Sequence, residues 1–503
     1  MTVPVVVVGA GPTGASAAIE LGRRGVECLV LDRWEDVYPQ PRAVHLDDDV
    51  FRILDGLGVG EAFASISRPG GGLRLVDRRM RVLGEFARAG VSESNGRPRA
   101  NMFDQPDLEH LLRRRLRELP TVTVRGGVVV TAVEQVAPDR VTVHVRDVVT
   151  DERTSVDAAV VLGCDGANSV VRSAIGASMT PLGFEQRWLV VDVETAADLH
   201  QWEGVHQVCD TARAATYMRI GERRYRWEFR LHDDETPDDF GTVEQLAPLI
   251  APWTGDVGSR ELTIVRVAEY TFRAAVADRW RSGRIFLLGD AAHLTPPFIG
   301  QGMGAGLRDA ANLGWKVAGF LRGRLAADVL DSYEPERSAH ALAMVRLACR
   351  MGVVMTRGGR AGEAARRVSV PALALLPGVR RQVTDSTTPA LAGSAWVAAS
   401  RSDRLAGRLC PNVVLGDRRL DHVIGDGWAL VTRRAPSPSD ADALAARGCV
   451  VVEARGGDPL TGWLRDGRAT AALVRPDRTV MASGADVPAL CATLARVVAP
   501  NSR

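Results

Sequence analysis

The sequence predicts an α/β protein in which a parallel sheet, assembled from distant parts of the chain, carries an inserted and mostly antiparallel sheet. The chain opens with an apolar run at residues 3–8, a glycine turn, an alanine-rich helix and a second apolar run at residues 28–31. This strand–helix–strand order is typical of the start of a parallel sheet. Residues 188–264 instead contain strands with tryptophan, arginine and valine, and residues 285–288 return to the first pattern. The first domain is therefore predicted to be discontinuous.

Length and composition indicate a globular protein with several cores. A chain of 503 residues corresponds to roughly three domains. Its contents of 46% hydrophobic and 25% charged residues are ordinary for such proteins. We expect the first domain at residues 1–180, the inserted sheet at 181–275, the return of the first domain with connecting helices at 276–400, and a compact α/β segment at 402–503.

Charge and cysteine content exclude several functional classes. A net charge of +2 gives no electrostatic reason to expect nucleic acid or an anionic membrane as a partner. The seven cysteines form no C-x-x-C pair and no metal-ligand cluster, so we expect a reduced cytoplasmic protein without a metal site. The apolar run at residues 3–8 has no basic residue before it, unlike a secretory signal, and no uninterrupted apolar run approaches a membrane span. A monomer or a homodimer is expected.

The first motif is Gly9-x-Gly11-x-x-Gly14, which lies between the first strand and the first helix. Glycines at this spacing allow a tight turn and the close approach of a pyrophosphate to the helix N-terminus. Asp32 ends the second strand, where its carboxylate is placed to accept a hydrogen bond from a ribose hydroxyl. The motif predicts a dinucleotide site and does not separate FAD from NAD. A turn that serves only packing would leave Asp32 unexplained.

Two further motifs follow strands, C-D-G-A-N-S at residues 164–169 and G-D-A-A-H at 289–293, and P-P-F-I-G-Q-G-M-G-A-G-L-R-D-A continues the second. With the first motif, the sequence resembles the class A flavoprotein aromatic hydroxylases, which are single-component FAD-dependent monooxygenases. Within them it is most similar to the 3-(3-hydroxyphenyl)propionate hydroxylase branch and to polyketide-tailoring hydroxylases. The resemblance covers the whole chain, and other matching stretches lie at residues 41–49, 105–109 and 181–192.

The resemblance implies a fold and an explanation for the C-terminal segment. The fold is a Rossmann-like FAD-binding domain of the p-hydroxybenzoate hydroxylase type, an inserted antiparallel substrate sheet and a thioredoxin-like C-terminal domain. Cys410, Cys449 and Cys491 offer this last domain no C-x-x-C pair, so a structural or dimer-stabilising role is expected rather than redox exchange.

The resemblance also implies which positions hold the cofactor. The ADP half would be held by Gly9, Gly11, Pro12, Gly14, Asp32 and Arg33, and the pyrophosphate or ribose by Arg42 and Gln105. Asp165 and Gly166 would contact both FAD and the reduced nicotinamide, and Asp290 would bind the ribityl chain. The flavin ring would lie against Pro297, Gly300, Gly302 and Met303. A helix that begins at the ring directs N–H groups at its N1–C2=O edge and stabilises negative charge there. Related sequences usually carry Asn in place of Gly304, so a side-chain contact is expected to be missing.

Two of these interpretations compete with simpler ones. Asp165 or Asp290 taken alone is equally typical of a turn or a helix cap, and only the combination with the glycine motif favours cofactor binding. His293 is expected to be a packed core histidine rather than a catalytic group.

The family's chemistry implies three small-molecule partners besides FAD. NADH or NADPH reduces the flavin, O2 adds at C4a, and the resulting hydroperoxide attacks an electron-rich ring of a small aromatic substrate. The substrate is expected under the inserted sheet, although each expected wall residue is also typical of a sheet core. These residues are Tyr217, Arg219, Trp227 and Phe298, with Trp188 and Tyr225 as further candidates. The sequence names no catalytic residue and no general base.

Other activities remain open on the same scaffold. A flavin epoxidase or a Baeyer–Villiger oxygenase would carry the same motifs, whereas a halogenase would carry W-x-W-x-I-P, which the sequence lacks. A non-catalytic FAD-binding partner of a biosynthetic complex is the third possibility, and Gly304 is the one feature that favours it.

Overall fold

Two eight-stranded sheets dominate the computed structural model, which describes residues 2–40, 42–88, 90–374, 388–398, 400 and 402–500. In chain order the strands are β1 (Thr2–Val8), β2 (Cys28–Leu31), β3 (His45–Asp47), β4 (Arg68–Pro69), β5 (Gly72–Val76), β6 (Val82–Ala87), β7 (Ala100–Met102), β8 (Val122–Arg125), β9 (Val128–Ala137), β10 (Arg140–Asp147), β11 (Arg153–Gly163), β12 (Met179–Glu194), β13 (Val205–Val208), β14 (Ala215–Arg219), β15 (Arg224–Arg230), β16 (Thr263–Ala277), β17 (Arg281–Ser282), β18 (Ile285–Leu287), β19 (His293–Leu294), β20 (Val414–Leu415), β21 (Arg418–Arg419), β22 (Trp428–Thr432), β23 (Cys449–Glu453), β24 (Ala471–Val474) and β25 (Val480–Gly484). The helices are α1 (Pro12–Gly22), α2 (Asp48–Gly56), α3 (Gly60–Ile66), α4 (Gln105–Arg117), α5 (Val170–Ala174), α6 (Val243–Thr254), α7 (Gly302–Leu321), α8 (Tyr333–Thr356), α9 (Gly359–Ala374), α10 (Leu420–Ile424), α11 (Pro438–Ala445), α12 (Pro459–Asp466) and α13 (Val487–Val497). Residues 375–387 of the predicted connecting helices lie outside the described residues.

The first sheet has the strand order β17-β18-β11-β1-β2-β8, and β10 joins β11 to β9. Its central strands run parallel, and β1 is buried almost throughout because helices cover both faces of such a sheet. A Cβ at Gly14 would lie 1.9 Å from the carbonyl oxygen of Gly9, so α1 can follow β1 this closely only with glycine. The late strand β18 pairs parallel with β11, as the return of the sequence pattern predicts.

The second sheet has the order β19-β16-β12-β15-β14-β13-β5-β6 and is antiparallel except where β13 meets β5. The sequence predicts its central strands between residues 181 and 275. It does not predict β5 and β6, which come from residues 72–87 and complete one edge of the sheet. These strands are short, and a pairing between segments so far apart leaves no local periodicity in the sequence.

The C-terminal segment forms a four-stranded sheet of order β23-β22-β24-β25 with its own apolar core. Strands β22 and β23 are parallel and joined through α11, while β24 and β25 form an antiparallel pair. Arg475 of this segment is fully buried and binds Glu336 of α8 at 2.9 Å, so an internal ion pair attaches the segment to the first domain.

One described stretch, Ala327–Thr356, is long and apolar enough to cross a membrane by length and composition. It contains α8, whose Glu336 and Arg337 form buried ion pairs with Lys316 and Asp309 of α7. This is the packing of a core helix.

Candidate active site

A cavity of about 1100 Å³ lies between the glycine turns of the first sheet and one face of the second sheet. It gathers predicted cofactor positions from five separate parts of the chain, which are Gly11, Pro12, Arg42, Gln105, Gly166, Asp290, Pro297, Gly300, Gly302 and Met303. Its volume exceeds the range of about 300–1000 Å³ that holds one drug-sized ligand. The space therefore suits a cofactor and a substrate together.

One end of the cavity is built around the N-terminus of α1. No described atom lies within 4 Å of an ideal Cβ at Gly11, so the missing side chain leaves open space there. The first N–H groups of a helix have no partner inside the helix and attract anions. Beside them, Asp32 Oδ2 accepts the N–H of Ala10 at 2.6 Å, which fixes the carboxylate next to the turn. This geometry fits a pyrophosphate and the adjacent ribose.

The loop that carries Arg42 is held by α4 and by the second sheet. Gln105 Oε1 accepts the N–H of Ala43 at 2.6 Å, and Arg226 of β15 donates to the carbonyl of Arg42 at 2.6 Å. The Arg42 guanidinium lies 4.7 Å from the centre of the Tyr38 ring. These contacts hold a cationic group at the cavity wall.

The turn before α7 forms another part of the cavity wall, and the first turns of α7 and α1 pack together, since a Cβ at Gly306 would meet Thr13. Gly300 has a φ of 62°, a left-handed conformation that favours glycine, and α7 begins at Gly302. The preceding Gln301 donates to Asp47 and accepts from Arg308 Nη1 at 2.9 Å, and Arg308 binds Asp49 through two hydrogen bonds. This buried network fixes the start of α7, whose free N–H groups lie at the cavity.

Charged groups at the cavity have shifted pKa values. Burial lowers the pKa of His45, whereas at Asp47 nearby Arg88, His45 and Arg308 outweigh burial and hold the pKa below its usual range. Asp290 faces the open cavity, yet enclosure by the surrounding protein raises its pKa. These shifts leave His45 neutral and Asp47 ionised near neutral pH.

Several predicted cofactor residues lie behind the cavity wall rather than in it. Asp165 accepts the Ser169 hydroxyl and the N–H of Val171 at 3.1 Å, which are the contacts of a carboxylate at the start of α5. Gly9 and Gly14 are packing positions of the β1–α1 turn, and Arg33 is exposed at the surface. Direct contacts of these four residues with a cofactor stay predictions.

His293 is fully buried, and its Nε2 lies 2.8 Å from Asp309 Oδ2. It does not line the cavity. This is the core histidine that the sequence predicts.

The structure corrects the predicted substrate-binding residues, because side chains alternate between the two faces of the second sheet. Phe298 lines the cavity, but Tyr217, Arg219 and Trp227 do not. Successive side chains of a strand point to opposite faces, and Tyr217 and Trp227 pack with Trp253 of α6 on the far face. Arg219 pairs with Glu203 at 2.9 Å. Of the further candidates, Trp188 packs edge-on against Phe298 and Tyr225 joins the far core.

Comparisons with known proteins agree with this site. Residues 2–348 match the protein family described as FAD binding domain. The chain is 32% identical, over 99% of its length and 96% of the other protein's, to a probable NADH-specific resorcinol 4-hydroxylase of Rhodococcus jostii. The chain belongs to the family of FAD-dependent aromatic hydroxylases. The chain is also 32% identical to a 3-(3-hydroxy-phenyl)propionate/3-hydroxycinnamic acid hydroxylase of Burkholderia vietnamiensis, over 95% of this chain and 93% of that protein.

Among solved structures, the hydroxylase is similar to OxyS anhydrotetracycline hydroxylase from Streptomyces rimosus. The TM-score is 0.79 and the sequences are 27% identical, with all of both chains covered. The similarity therefore includes the C-terminal segment as well as the two large sheets.

The cavity of the hydroxylase fits FAD in its shape and its donors. A Cβ at Gly11 or at Gly166 would project into open space on the cavity wall. Two helix N-termini, those of α1 and α7, lie at the cavity wall. Gly304 is not part of the wall, since a Cβ there would lie 3.0 Å from Val50 Cγ2. The glycine at this position fits close helix packing, and the helix N-terminus is intact.

The sequence did not predict the cavity residues contributed by β13, β14 and β15, which are Val205, Gln207, Thr216, Met218 and Glu228. Strands β14 and β15 read A-T-Y-M-R and R-Y-R-W-E-F-R, and both of their faces are buried. Alternation separates the two sets of side chains but does not say which set faces the cofactor.

Neighbouring residues on β14 test this orientation. Met218→Trp is expected to raise the KM for an aromatic substrate by about tenfold or more, because the larger ring occupies cavity space. Tyr217→Phe changes the opposite face and is expected to leave KM unchanged. Steady-state kinetics of both variants is the measurement, and a larger effect of the Tyr217 substitution would contradict the orientation.

Proposed function

We propose that this hydroxylase uses NADH or NADPH to reduce its FAD, and O2 to place a hydroxyl group on a phenolic or polycyclic aromatic substrate. The observation that carries the proposal is a single cavity that runs from the cofactor positions to the second sheet. Beyond the cofactor positions its wall is mainly apolar and includes Leu73, Leu75, Phe86, Val205, Met218 and Phe298. An aromatic ring fits such a wall.

The activities for which the relatives are named support the substrate class. They act on resorcinol, hydroxyphenylpropionate and anhydrotetracycline, which share a phenolic ring. The name of the Rhodococcus relative specifies NADH, so we propose NADH as the first reductant to test.

The protein's own residues would position and enclose the reactants. When bound, FAD supplies hydride acceptance and O2 activation. The N-terminus of α7 would stabilise negative charge on the reduced ring, since its first N–H groups lie at the cavity. The apolar wall would exclude water, which otherwise diverts reducing equivalents to H2O2.

The test is NADH and NADPH oxidation by the purified holoenzyme with and without resorcinol, 3-(3-hydroxyphenyl)propionate and a tetracyclic phenol. A substrate is expected to accelerate oxidation and to gain one hydroxyl group, seen by mass spectrometry and placed by NMR. NMR also distinguishes ring hydroxylation from an epoxide or an inserted ester oxygen. No acceleration by any aromatic compound would contradict the proposal.

We also propose a structural, thioredoxin-like C-terminal domain and a cytoplasmic location. The β22–α11–β23 crossover and the β24–β25 pair support that fold. Burial raises the pKa of both Cys410 and Cys449 to about 12, so their thiols are poorly reactive near neutral pH. All seven cysteines lie in described parts of the chain and are free, which suits a reducing compartment.

A further inference from the structure

A row of three polar residues crosses the cavity face of the second sheet. Gln207 of β13 lies directly opposite Thr216 of β14, which in turn lies directly opposite Glu228 of β15. Directly opposite residues have Cβ atoms about 4.5–5.5 Å apart. All three line the cavity and are only 2%, 4% and 7% exposed. An amide, a hydroxyl and a carboxylate therefore form one polar strip, defined here as Gln207, Thr216 and Glu228, in a mainly apolar wall.

The strip has hydrogen-bonding capacity that the protein does not use. Gln207 Nε2 donates to the carbonyl of Phe298 at 2.6 Å, while its Oε1 has no partner among the described residues. The Glu228 carboxylate likewise makes no hydrogen bond or ion pair with any residue that the structure describes. A buried carboxylate without a partner is costly, so its retention beside a cavity indicates a ligand.

The neighbouring arginines make no direct contact with Glu228. Arg226 precedes it by two residues and faces the same side of β15, but its guanidinium binds Asp192 at 2.6 and 3.0 Å. Arg266 of β16 lies 3.2 Å from the same aspartate. Two arginines thus share one aspartate, and their remaining positive charge favours ionised Glu228 from a distance. The Glu228 carboxylate still has no direct partner among the described residues and is open to a ligand in the cavity.

We infer that Glu228 is the proton acceptor for the hydroxyl group of a phenolic substrate, with the neighbouring Thr216 hydroxyl available to donate to the same substrate oxygen. The inference rests on the proposed function. In this step the phenol O–H bond breaks, the proton binds a carboxylate oxygen, and the electron pair stays on the phenolic oxygen. Negative charge moves from one oxygen to another, so the net charge of the buried cavity does not change. The phenolate ring is richer in electrons and reacts more readily with an electrophilic oxygen.

Local electrostatics suit Glu228 to this step. Burial raises its pKa to about 7; Asp192 adds to the rise, and Arg226 and Arg266 oppose it. A base with this pKa is closer to a phenol, at about 10, than an ordinary carboxylate is. Other charged groups that line the cavity are Arg42, His45, Asp47, Arg88 and Asp290 from the first domain, Arg346 and Arg350 from α8, and Arg408 from the C-terminal segment.

The proposed role of Glu228 predicts the direction in which kcat/KM changes with pH. Glu228 acts as a base only when ionised, so kcat/KM is expected to rise as the pH increases through about 7. The low pKa of Asp47 and the lowered pKa of His45 put their own titrations below this limb. Asp290, whose pKa is raised, is the remaining carboxylate in the cavity, and only a Glu228 variant separates the two.

Glu228→Gln is the test, since it keeps the size and removes the base. Turnover of the phenol that stimulates NADH oxidation is expected to fall by about 100-fold or more, with loss of the limb near pH 7. Glu228→Asp keeps a base and is expected to retain part of the activity. A second readout is the ultraviolet difference spectrum of resorcinol and 3-(3-hydroxyphenyl)propionate on the holoenzyme at pH 8. With a base of pKa about 7 and a phenol of about 10, the resting complex holds a phenol hydrogen-bonded to ionised Glu228, and the resulting red shift of its ultraviolet band is expected to be lost in Glu228→Gln.

Glu194→Gln is the matched control, because this glutamate ends β12 in the same sheet, is exposed and does not line the cavity. FAD content and the thermal unfolding midpoint show whether each variant is folded. Unchanged turnover, pH profile and difference spectrum in folded Glu228→Gln would overturn the inference and leave the proposed function intact. If no phenol stimulates the wild type, the proposed function fails, and the assignment of Glu228 fails with it.

Discussion

The Gly11→Asp enzyme is expected to fold and to be isolated without FAD. The side chain would enter open cavity space at the N-terminus of α1, where we place the pyrophosphate. Two unit charges about 4 Å apart repel by about 4 kcal/mol at an effective dielectric constant of about 20. That corresponds to an approximately 1000-fold weaker Kd.

The measurement is the ratio of FAD to protein after gel filtration, followed by FAD titration of the apoprotein. Gly456→Asp is the control, since no described atom lies within 4 Å of a Cβ at this site in the C-terminal segment. Circular dichroism is expected to show both variants folded. Stoichiometric FAD in Gly11→Asp would show that the pyrophosphate does not lie at this turn.

The second large effect is expected at the attachment of the C-terminal segment. Arg475→Met should lower the free energy of unfolding by about 3–5 kcal/mol, because it leaves the buried Asp477 carboxylate without a cation and Glu336 with Lys316 alone. Arg475 binds Glu336 at 2.9 Å and also binds Asp477, and all three side chains are nearly or fully buried. Lys316 is the other cation on Glu336, at 2.8 Å.

The pH dependence follows from the same contacts. Burial acts to raise the pKa of Glu336, but Arg475 and Lys316 outweigh it and hold the pKa below its usual range. A lowered folded-state pKa gives stability that is present above the unfolded value, near 4.5, and is lost as the pH falls. Arg475→Met should therefore be less stable than wild type at neutral pH, with a smaller difference in acid.

Urea unfolding and limited proteolysis of the C-terminal segment measure this effect. Arg465→Met is the matched control, because Arg465 is an exposed residue of α12 in the same segment. Its substitution is expected to change stability by less than about 0.5 kcal/mol. Equal unfolding midpoints for the two variants would contradict a structural role for the buried ion pair.

The glycine motifs made the cofactor end of the cavity predictable from sequence. Gly11 leaves open space that a pyrophosphate can occupy, and Gly300 adopts a left-handed turn, so the role of each glycine is visible in the sequence residue by residue. Asp290, which the resemblance assigns to the ribityl chain, also faces the cavity.

The substrate end could not be predicted because it depends on pairing and orientation. Tyr217 and Trp227 were predicted to contact the aromatic substrate, but they pack against α6, and Thr216 and Glu228 face the cavity instead. Both faces of strands β14 and β15 are buried, so their sequences are compatible with either set of side chains facing the cavity. Likewise, nothing local in residues 72–87 reveals that they join a sheet formed mainly by residues 179–277.

The central claim, an FAD-dependent hydroxylase of phenolic rings, is tested most directly by the origin of the product oxygen. The holoenzyme is supplied with NADH, isotopically labelled O2 and the panel of phenols, and the product is analysed by mass spectrometry. We predict a product with one additional oxygen atom, derived from O2 and bonded to a ring carbon. NADH oxidation that is indifferent to every phenol, or a product without labelled oxygen, would contradict the claim.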